Sequence, residues 1–257
     1  MQELEYVILG IIQGITEFLP ISSSGHILLG RHFFNINHPG INIEVFLHTG
    51  TLLSIVLFWY KDILYEINDF KNGKRLFIIS LIIGTIPAGI IGLSFNNLIT
   101  EFFFNSSSID FLSYNYLLLG VIIFSSKFIK NNNNDTISYK NAFLIGIAQA
   151  FAILPGFSRS GLTIVMAMYL GISFKSATKF SFLLAIPILV FATFDTMLND
   201  YTNFYNNMNS QIILGVFLSF IVGYLTLGLL QRMIENQKFW YFSFYCLLIS
   251  MILFYVI

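Results

Sequence analysis

Charge is what this chain of 257 residues has least of: Asp, Glu, Lys and Arg together make up 10% of it. Soluble domains carry about 25%, so the shortfall excludes a surface that faces mostly water. The few charges also cancel, 13 basic against 13 acidic. No bulk attraction to nucleic acid is left, and no nucleic-acid partner is expected. Cysteine is nearly absent. The single Cys246 lies in an apolar run, which excludes a disulfide framework and a thiolate metal site. A basic leader is missing too. Met1-Gln2-Glu3-Leu4-Glu5 is acidic where a cleavable signal peptide is basic.

What is present is hydrophobic, 56% of the chain. Apolar runs at 42–60, 76–98, 174–198, 211–231 and 239–257 reach the roughly 20 residues that a bilayer crossing needs. A shorter run covers 114–129. These runs predict an all-α polytopic membrane protein with about six transmembrane helices. Membrane lipid is its first partner.

Eleven of the 13 basic residues fall in four stretches, 61–75, 127–140, 171–179 and 232–238, while 99–113 and 199–210 hold none. Basic loops stay in the cytoplasm. The segment 141–170 lies between two such loops, so it must enter and leave on one side. The segment 4–34, broken at its centre by Gly, Pro and Ser, precedes a span that begins outside. Both are predicted to be re-entrant helical hairpins, entering from opposite faces.

The two hairpins resemble each other. The first reads Gly10-x-x-Gln13, Leu19-Pro20 and Ser22-x-Ser24-Gly25; the second reads Gly146-x-x-Gln149, Leu154-Pro155 and Ser158-x-Ser160-Gly161. Opposite entry with repeated sequence predicts one membrane domain, 1–257, made of two inverted-topology repeats, 1–130 and 131–257. Such folds place ligand sites near the midplane, at broken helices. The asparagine run 131–134 predicts a mobile polar loop without functional weight.

An ionisable residue inside a membrane is a functional candidate. Glu17 lies one helical turn after Gln13, and the two share a face. Pro20 and Pro155 cannot continue a helix, whereas Ser starts one readily. Each hairpin therefore predicts helix, break, Ser-capped helix. Two helix starts meeting offer free N–H groups and positive dipole ends to an anion. Arg159 adds a planar fork of donors suited to phosphate. Ser22, Ser24, Ser158, Ser160 and Thr163 add hydroxyls, and Gln13 an amide, for binding substrate. Glu17 and Gln13 could hold a metal. Ser23 is a candidate nucleophile with His26 as its acid or base. Other readings stay open: an ion pair between Glu17 and Arg159 that is purely structural, serines that only cap helices, a His26 that only packs. His48 is placed within possible reach of the same cavity.

The segment Gln13-Gly14-Ile15-Thr16-Glu17-Phe18-Leu19-Pro20-Ile21-Ser22-Ser23-Ser24-Gly25-His26 resembles the first signature of the undecaprenyl-diphosphatase family, bacitracin-resistance type. Pro155-Gly156-Phe157-Ser158-Arg159-Ser160-Gly161-Leu162-Thr163 resembles its second. The resemblance implies a multi-pass enzyme of the bacterial cytoplasmic (inner) membrane. It would remove the terminal phosphate from a polyprenyl diphosphate lipid, returning the carrier to peptidoglycan synthesis and conferring bacitracin resistance. It implies a divalent cation, Mg2+ or Ca2+, and an active site on Glu17, Ser23, His26, Ser158, Arg159 and Thr163. The family carries Glu or Gln at position 13; here Gln leaves one carboxylate fewer. A second lipid phosphatase superfamily needs a later nucleophilic His, and all four His here precede position 49. The rival function is a lipid-carrier flippase or transporter on the same anion site. Homodimerisation stays open.

Overall fold

A computed structural model describes residues 2–33, 42–94, 108–199 and 210–256. Among them every regular element is a helix, without strands. In order the helices are α1 (Gln2–Thr16), α2 (Ser23–Phe33), α3 (Asn42–Phe58), α4 (Tyr60–Lys71), α5 (Leu76–Ser94), α6 (Ser108–Ser125), α7 (Tyr139–Phe151), α8 (Arg159–Tyr169), α9 (Phe174–Asn199), α10 (Ser210–Glu235) and α11 (Phe242–Val256). The expected acid-bearing loops at 99–113 and 199–210 fall mostly outside the described residues.

Among the described residues four helices are long and apolar enough to cross a bilayer: Leu76–Ser94, Phe111–Phe128, Phe174–Leu198 and Ser210–Glu235. A fifth exists if α3 and α4 count together, although they bend by 70° between Phe58 and Tyr60. The run expected as one crossing at 42–60 is therefore a helix of 17 residues that turns at Trp59. The turn falls where composition changes. α3 is apolar to its end, whereas α4 brings in Lys61, Asp62, Glu66 and Asp69. The segment Phe239–Tyr255 belongs with the shorter apolar helices, so length and composition establish four or five of the six expected crossings among the described residues. The run expected to be marginal at 114–129 is among the four.

Each broken helix packs chiefly against a span from the other half of the chain: α1 against α10, and α7 against α5. Glycine makes both approaches possible. A Cβ on Gly10 would lie 2.5 Å from the carbonyl oxygen of Gly215. A Cβ on Gly146 would lie 2.3 Å from that of Gly84. In membranes, where no hydrophobic force separates helix from lipid, such small-residue contacts carry the packing. The core below the breaks is aromatic, with Phe18 and Phe182 meeting edge to face at 5.6 Å.

The four basic stretches come together at one end of the molecule. Lys179 bonds Glu66 at 2.9 Å and Asp62 at 3.0 Å, joining α9 to α4. Lys127 sits over the Trp240 ring at 4.4 Å, joining the stretch after α6 to the one before α11. The asparagine run completes the set and corrects the expectation of a mobile loop. Asn131 Oδ1 accepts from the N–H of Phe174 at 2.9 Å, Asn134 O accepts from that of Ser173 at 2.8 Å, and Asp135 accepts from the hydroxyls of Ser173 and Ser176. Asparagine looks like low complexity in a sequence. Here it caps the start of α9.

Candidate active site at the two helix breaks

α1 ends at Thr16, but Glu17 N still donates to Gln13 O at 3.0 Å, so Glu17 stays one turn above Gln13. Pro20 then stops the helix. The chain reverses through Ser22, whose φ of 68° is a left-handed conformation that non-glycine residues rarely adopt. In that pose Ser22 Oγ accepts from the N–H of Gly25 at 3.2 Å, capping α2. The second break repeats the device. Gly156 takes the positive φ, 88°, and Ser158 Oγ accepts from the N–H of Gly161 at 3.1 Å. The remaining first-turn N–H groups of α2 and α8 have no intrahelical partner.

The two breaks touch. Ser160 Oγ lies 3.5 Å from the carbonyl oxygen of Leu19, and Gly161 lies close enough to Pro20 that a Cβ would sit 3.2 Å from the ring. Across this junction Arg159 Nη2 donates to Glu17 Oε1 at 2.5 Å. The other carboxylate oxygen, Oε2, accepts from Ser23 Oγ at 2.7 Å and from Gln13 Nε2 at 3.1 Å. Gln13 Nε2 also lies 2.9 Å from His48 Nδ1. One buried carboxylate thus gathers Gln13, Ser23, Arg159 and, at 3.5 Å, His48.

His26 stands apart from Ser23. Its Nδ1 faces the carbonyl of Ser22 at 2.7 Å, and a carbonyl only accepts, so Nδ1 carries the hydrogen. Nε2 of the neutral ring then accepts from Tyr245 OH at 2.7 Å. Tyr116 OH lies 2.9 Å from Nδ1, and Tyr245 stacks on the imidazole at 5.6 Å. Among the described residues both ring nitrogens are committed, and Ser23 is turned to Glu17. The expected serine–histidine dyad is not formed, because the left-handed Ser22 holds the imidazole to the turn.

The other candidate hydroxyls are engaged within the protein. Ser158 and Ser160 lie 3.1 Å apart, and Ser22 and Ser24 lie 3.4 Å apart. Thr163 donates back to Arg159 O at 2.7 Å and meets Ser181 Oγ at 2.6 Å, facing α9. Glu44, in the first turn of α3, pairs with Arg31 at 3.6 Å. Two atoms at the junction are buried and without partners among the described residues: the donor Nη1 of Arg159 and the acceptor Oε1 of Gln13. A buried polar atom without a partner points to a ligand or water that meets it.

These atoms fit a phosphate and a hard cation. Arg159 Nη1 is a donor for a phosphate oxygen. Glu17 and Gln13 Oε1 are oxygen donors of the kind Mg2+ or Ca2+ takes. No cluster of three or more His, Cys, Asp or Glu stands among the described residues. An ion held by one or two protein oxygens and completed by substrate phosphate suits Mg2+.

Tyr116, Tyr245 and Ser181 carry no motif signal, and sequence reasoning did not single them out. They come from helices far along the chain, and nothing in their spacing distinguishes them from other aromatic or small residues in apolar runs.

Residues 6–252 match the family model for bacitracin resistance protein BacA. An undecaprenyl-diphosphatase of Thermosipho africanus is 37% identical over 98% of this chain and 100% of its own. One of Halothermothrix orenii is 34% identical over 98% of this chain and 97% of its own. Undecaprenyl-diphosphatase 4 of Bacillus thuringiensis is 37% identical over 95% and 93%. The match covers both breaks and every helix that builds the junction between them, and this chain belongs to the BacA family of multi-pass membrane proteins.

Proposed function

We propose that this chain is an undecaprenyl-diphosphate phosphatase of the bacterial cytoplasmic membrane, releasing inorganic phosphate and returning the lipid carrier to peptidoglycan synthesis. Bacitracin resistance is the consequence of that activity. One observation carries the site assignment: the junction of the two breaks, where Glu17 holds Ser23 on one oxygen and Arg159 on the other. A flippase role has no observation in its favour.

In this reading the terminal phosphate sits between the starts of α2 and α8. Arg159 binds its oxygens, and the first-turn N–H groups add to the field. Ser23 Oγ attacks the terminal phosphorus, the bond to the bridging oxygen breaks, and Glu17 takes the hydroxyl proton. Water then cleaves the phosphoserine. Phosphoryl transfer needs positioning and charge neutralisation above all. Glu17 and Gln13 Oε1 would hold a divalent cation, which supplies part of that neutralisation when bound.

The architecture belongs to the same proposal: two re-entrant hairpins, one in each inverted repeat, 1–130 and 131–257, with six crossings in all. The paired caps at Ser22 and Ser158 support it, as do the paired glycine contacts at Gly10 and Gly146. The gathering of the basic stretches at one end supports a cytoplasmic placement of that end. Membrane lipid and the polyprenyl diphosphate are the partners; a homodimer belongs to the expectations that light scattering on the detergent-purified protein would test.

The function is tested by phosphate release from undecaprenyl diphosphate by purified protein, before and after treatment with a chelator and readdition of Mg2+ or Ca2+. Release that depends on the cation is expected. No release under any cation would overturn the reading.

A further inference from the structure

Gln13 is fully buried, and its amide nitrogen has two neighbours: Glu17 Oε2 at 3.1 Å and His48 Nδ1 at 2.9 Å. A carboxylate only accepts, so the nitrogen and not the oxygen must face Glu17; the flipped amide would bring two acceptors together. The second amide hydrogen is then directed at His48 Nδ1. That atom accepts with its lone pair, which places the imidazole hydrogen on Nε2. A hydrogen on Nδ1 would set two donors 2.9 Å apart, and the Glu17 carboxylate oxygen stands at 3.5 Å, too far for a sound hydrogen bond. With both N–H groups held, the amide plane is fixed. The oxygen left over, Oε1, is buried and without a partner among the described residues.

We infer that His48 is a positioning residue: its imidazole, reaching in from α3, locks the Gln13 amide so that Oε1 joins the Glu17 carboxylate as an oxygen pair for a divalent cation. The inference rests on the phosphatase reading. It also explains how a chain with a single carboxylate at this position can keep a cation site. An amide oxygen is a weaker ligand than a carboxylate, and one free to rotate would offer its N–H groups to the ion half of the time. His48 removes that freedom. It is not itself a ligand, since Nδ1 is occupied and Nε2 carries the hydrogen. Partners that orient a metal ligand typically change affinity by about 10- to 100-fold when removed.

The test is calorimetric titration of Ca2+ into detergent-purified protein without substrate, with thermal unfolding as the check on folding. His48→Leu is expected to weaken Ca2+ binding at least about tenfold at an unchanged unfolding midpoint. His48→Asn, whose side-chain oxygen can take the place of Nδ1 as acceptor, should stay within about threefold of wild type, well inside that range. If His48→Leu does not fold, His48→Ser, too short to reach Gln13, carries the same expectation. Wild-type affinity in the Leu or Ser variant overturns the inference. So does an Asn variant as weak as Leu, since the imidazole itself would then be required. Wild-type protein that releases phosphate yet binds no Ca2+ overturns this inference alone; wild-type protein that releases none overturns the function it rests on.

Discussion

Glu17 and Arg159 stand 142 residues apart in the chain and meet at 2.5 Å, each at the break of a different helical hairpin. The pair keeps a buried and a partly buried charge compatible with a membrane interior, and it leaves Arg159 Nη1 without a partner among the described residues. It therefore serves the fold and the site at once, and mutation can separate the two roles.

Arg159→Lys keeps a positive charge but loses the planar fork. Activity should fall on the order of a hundredfold, as when one preorganised charge-stabilising donor is removed. Arg159→Ala should fall further, because one buried charge is left alone. If the pair were only structural, replacing both partners together would be tolerated. Substantial phosphatase activity in the double variant Glu17→Gln, Arg159→Met would thus remove the phosphate-clamp role.

Ser23 is bonded to Glu17, while His26 is bonded to Tyr245 and the Ser22 carbonyl. Ser23→Ala should lose more than about a hundredfold in rate, and acid quench with labelled substrate should trap phosphate on serine and none on histidine. Tyr245→Phe, which only loosens the His26 turn, should cost less than about tenfold, or 1.4 kcal/mol. A Ser23→Ala protein that retains a tenth or more of the wild-type rate would instead make water the attacking group.

The glycine contacts predict where a methyl group is forbidden. Gly146→Ala sets a Cβ 2.3 Å from the Gly84 carbonyl, and Gly10→Ala sets one 2.5 Å from that of Gly215. Each should destabilise by about 1–3 kcal/mol, the usual cost of overpacking, and lower the unfolding midpoint. Gly89→Ala, on the open side of α5 with nothing within 4 Å, is the control. Equal midpoints in all three variants would mean that α1 and α7 do not pack closely on α10 and α5.

Asp135 gives the protein an acid-sensitive latch at the basic end. Hydrogen bonds from Ser173 and then Ser176 hold its carboxyl below the ordinary carboxylate range, against a small opposing effect of desolvation. A lowered folded-state pKa stabilises the fold above the unfolded value and loses that contribution as pH falls through the folded one. Wild type should therefore unfold at a higher temperature than Asp135→Asn near pH 6. The gap should close only below about pH 3.9, the ordinary Asp value. A gap already closed at about pH 5 would show that the loop does not depend on the carboxylate.

Much of the site was legible because its chemistry is local. Pro20 and Pro155 mark the breaks, Ser22 and Ser158 cap the helices that resume after them, and Glu17 and Arg159 are charges within apolar surroundings. The rest could not be read because it comes from geometry that local sequence does not encode. The bend at Trp59 interrupts an apolar run with neither glycine nor proline at the turn. Tyr116 and Tyr245 take His26 away from Ser23 across 90 and 219 residues. The asparagines at 131–134 matter through the backbone groups they satisfy on α9, which no composition reveals.

The pairing of the first broken helix with a span from the far end of the chain has a consequence for biosynthesis. When the ribosome has made Glu17, its guanidinium partner is still 142 residues away. At 5–20 residues per second the wait is on the order of ten seconds, and the α10 surface that receives Gly10 arrives later still. A lone carboxylate is costly at the bilayer centre. The first hairpin should therefore stay at the membrane surface while the spans after it insert, and dock only when the chain is almost complete. The segment translated first would be among the last to reach its place.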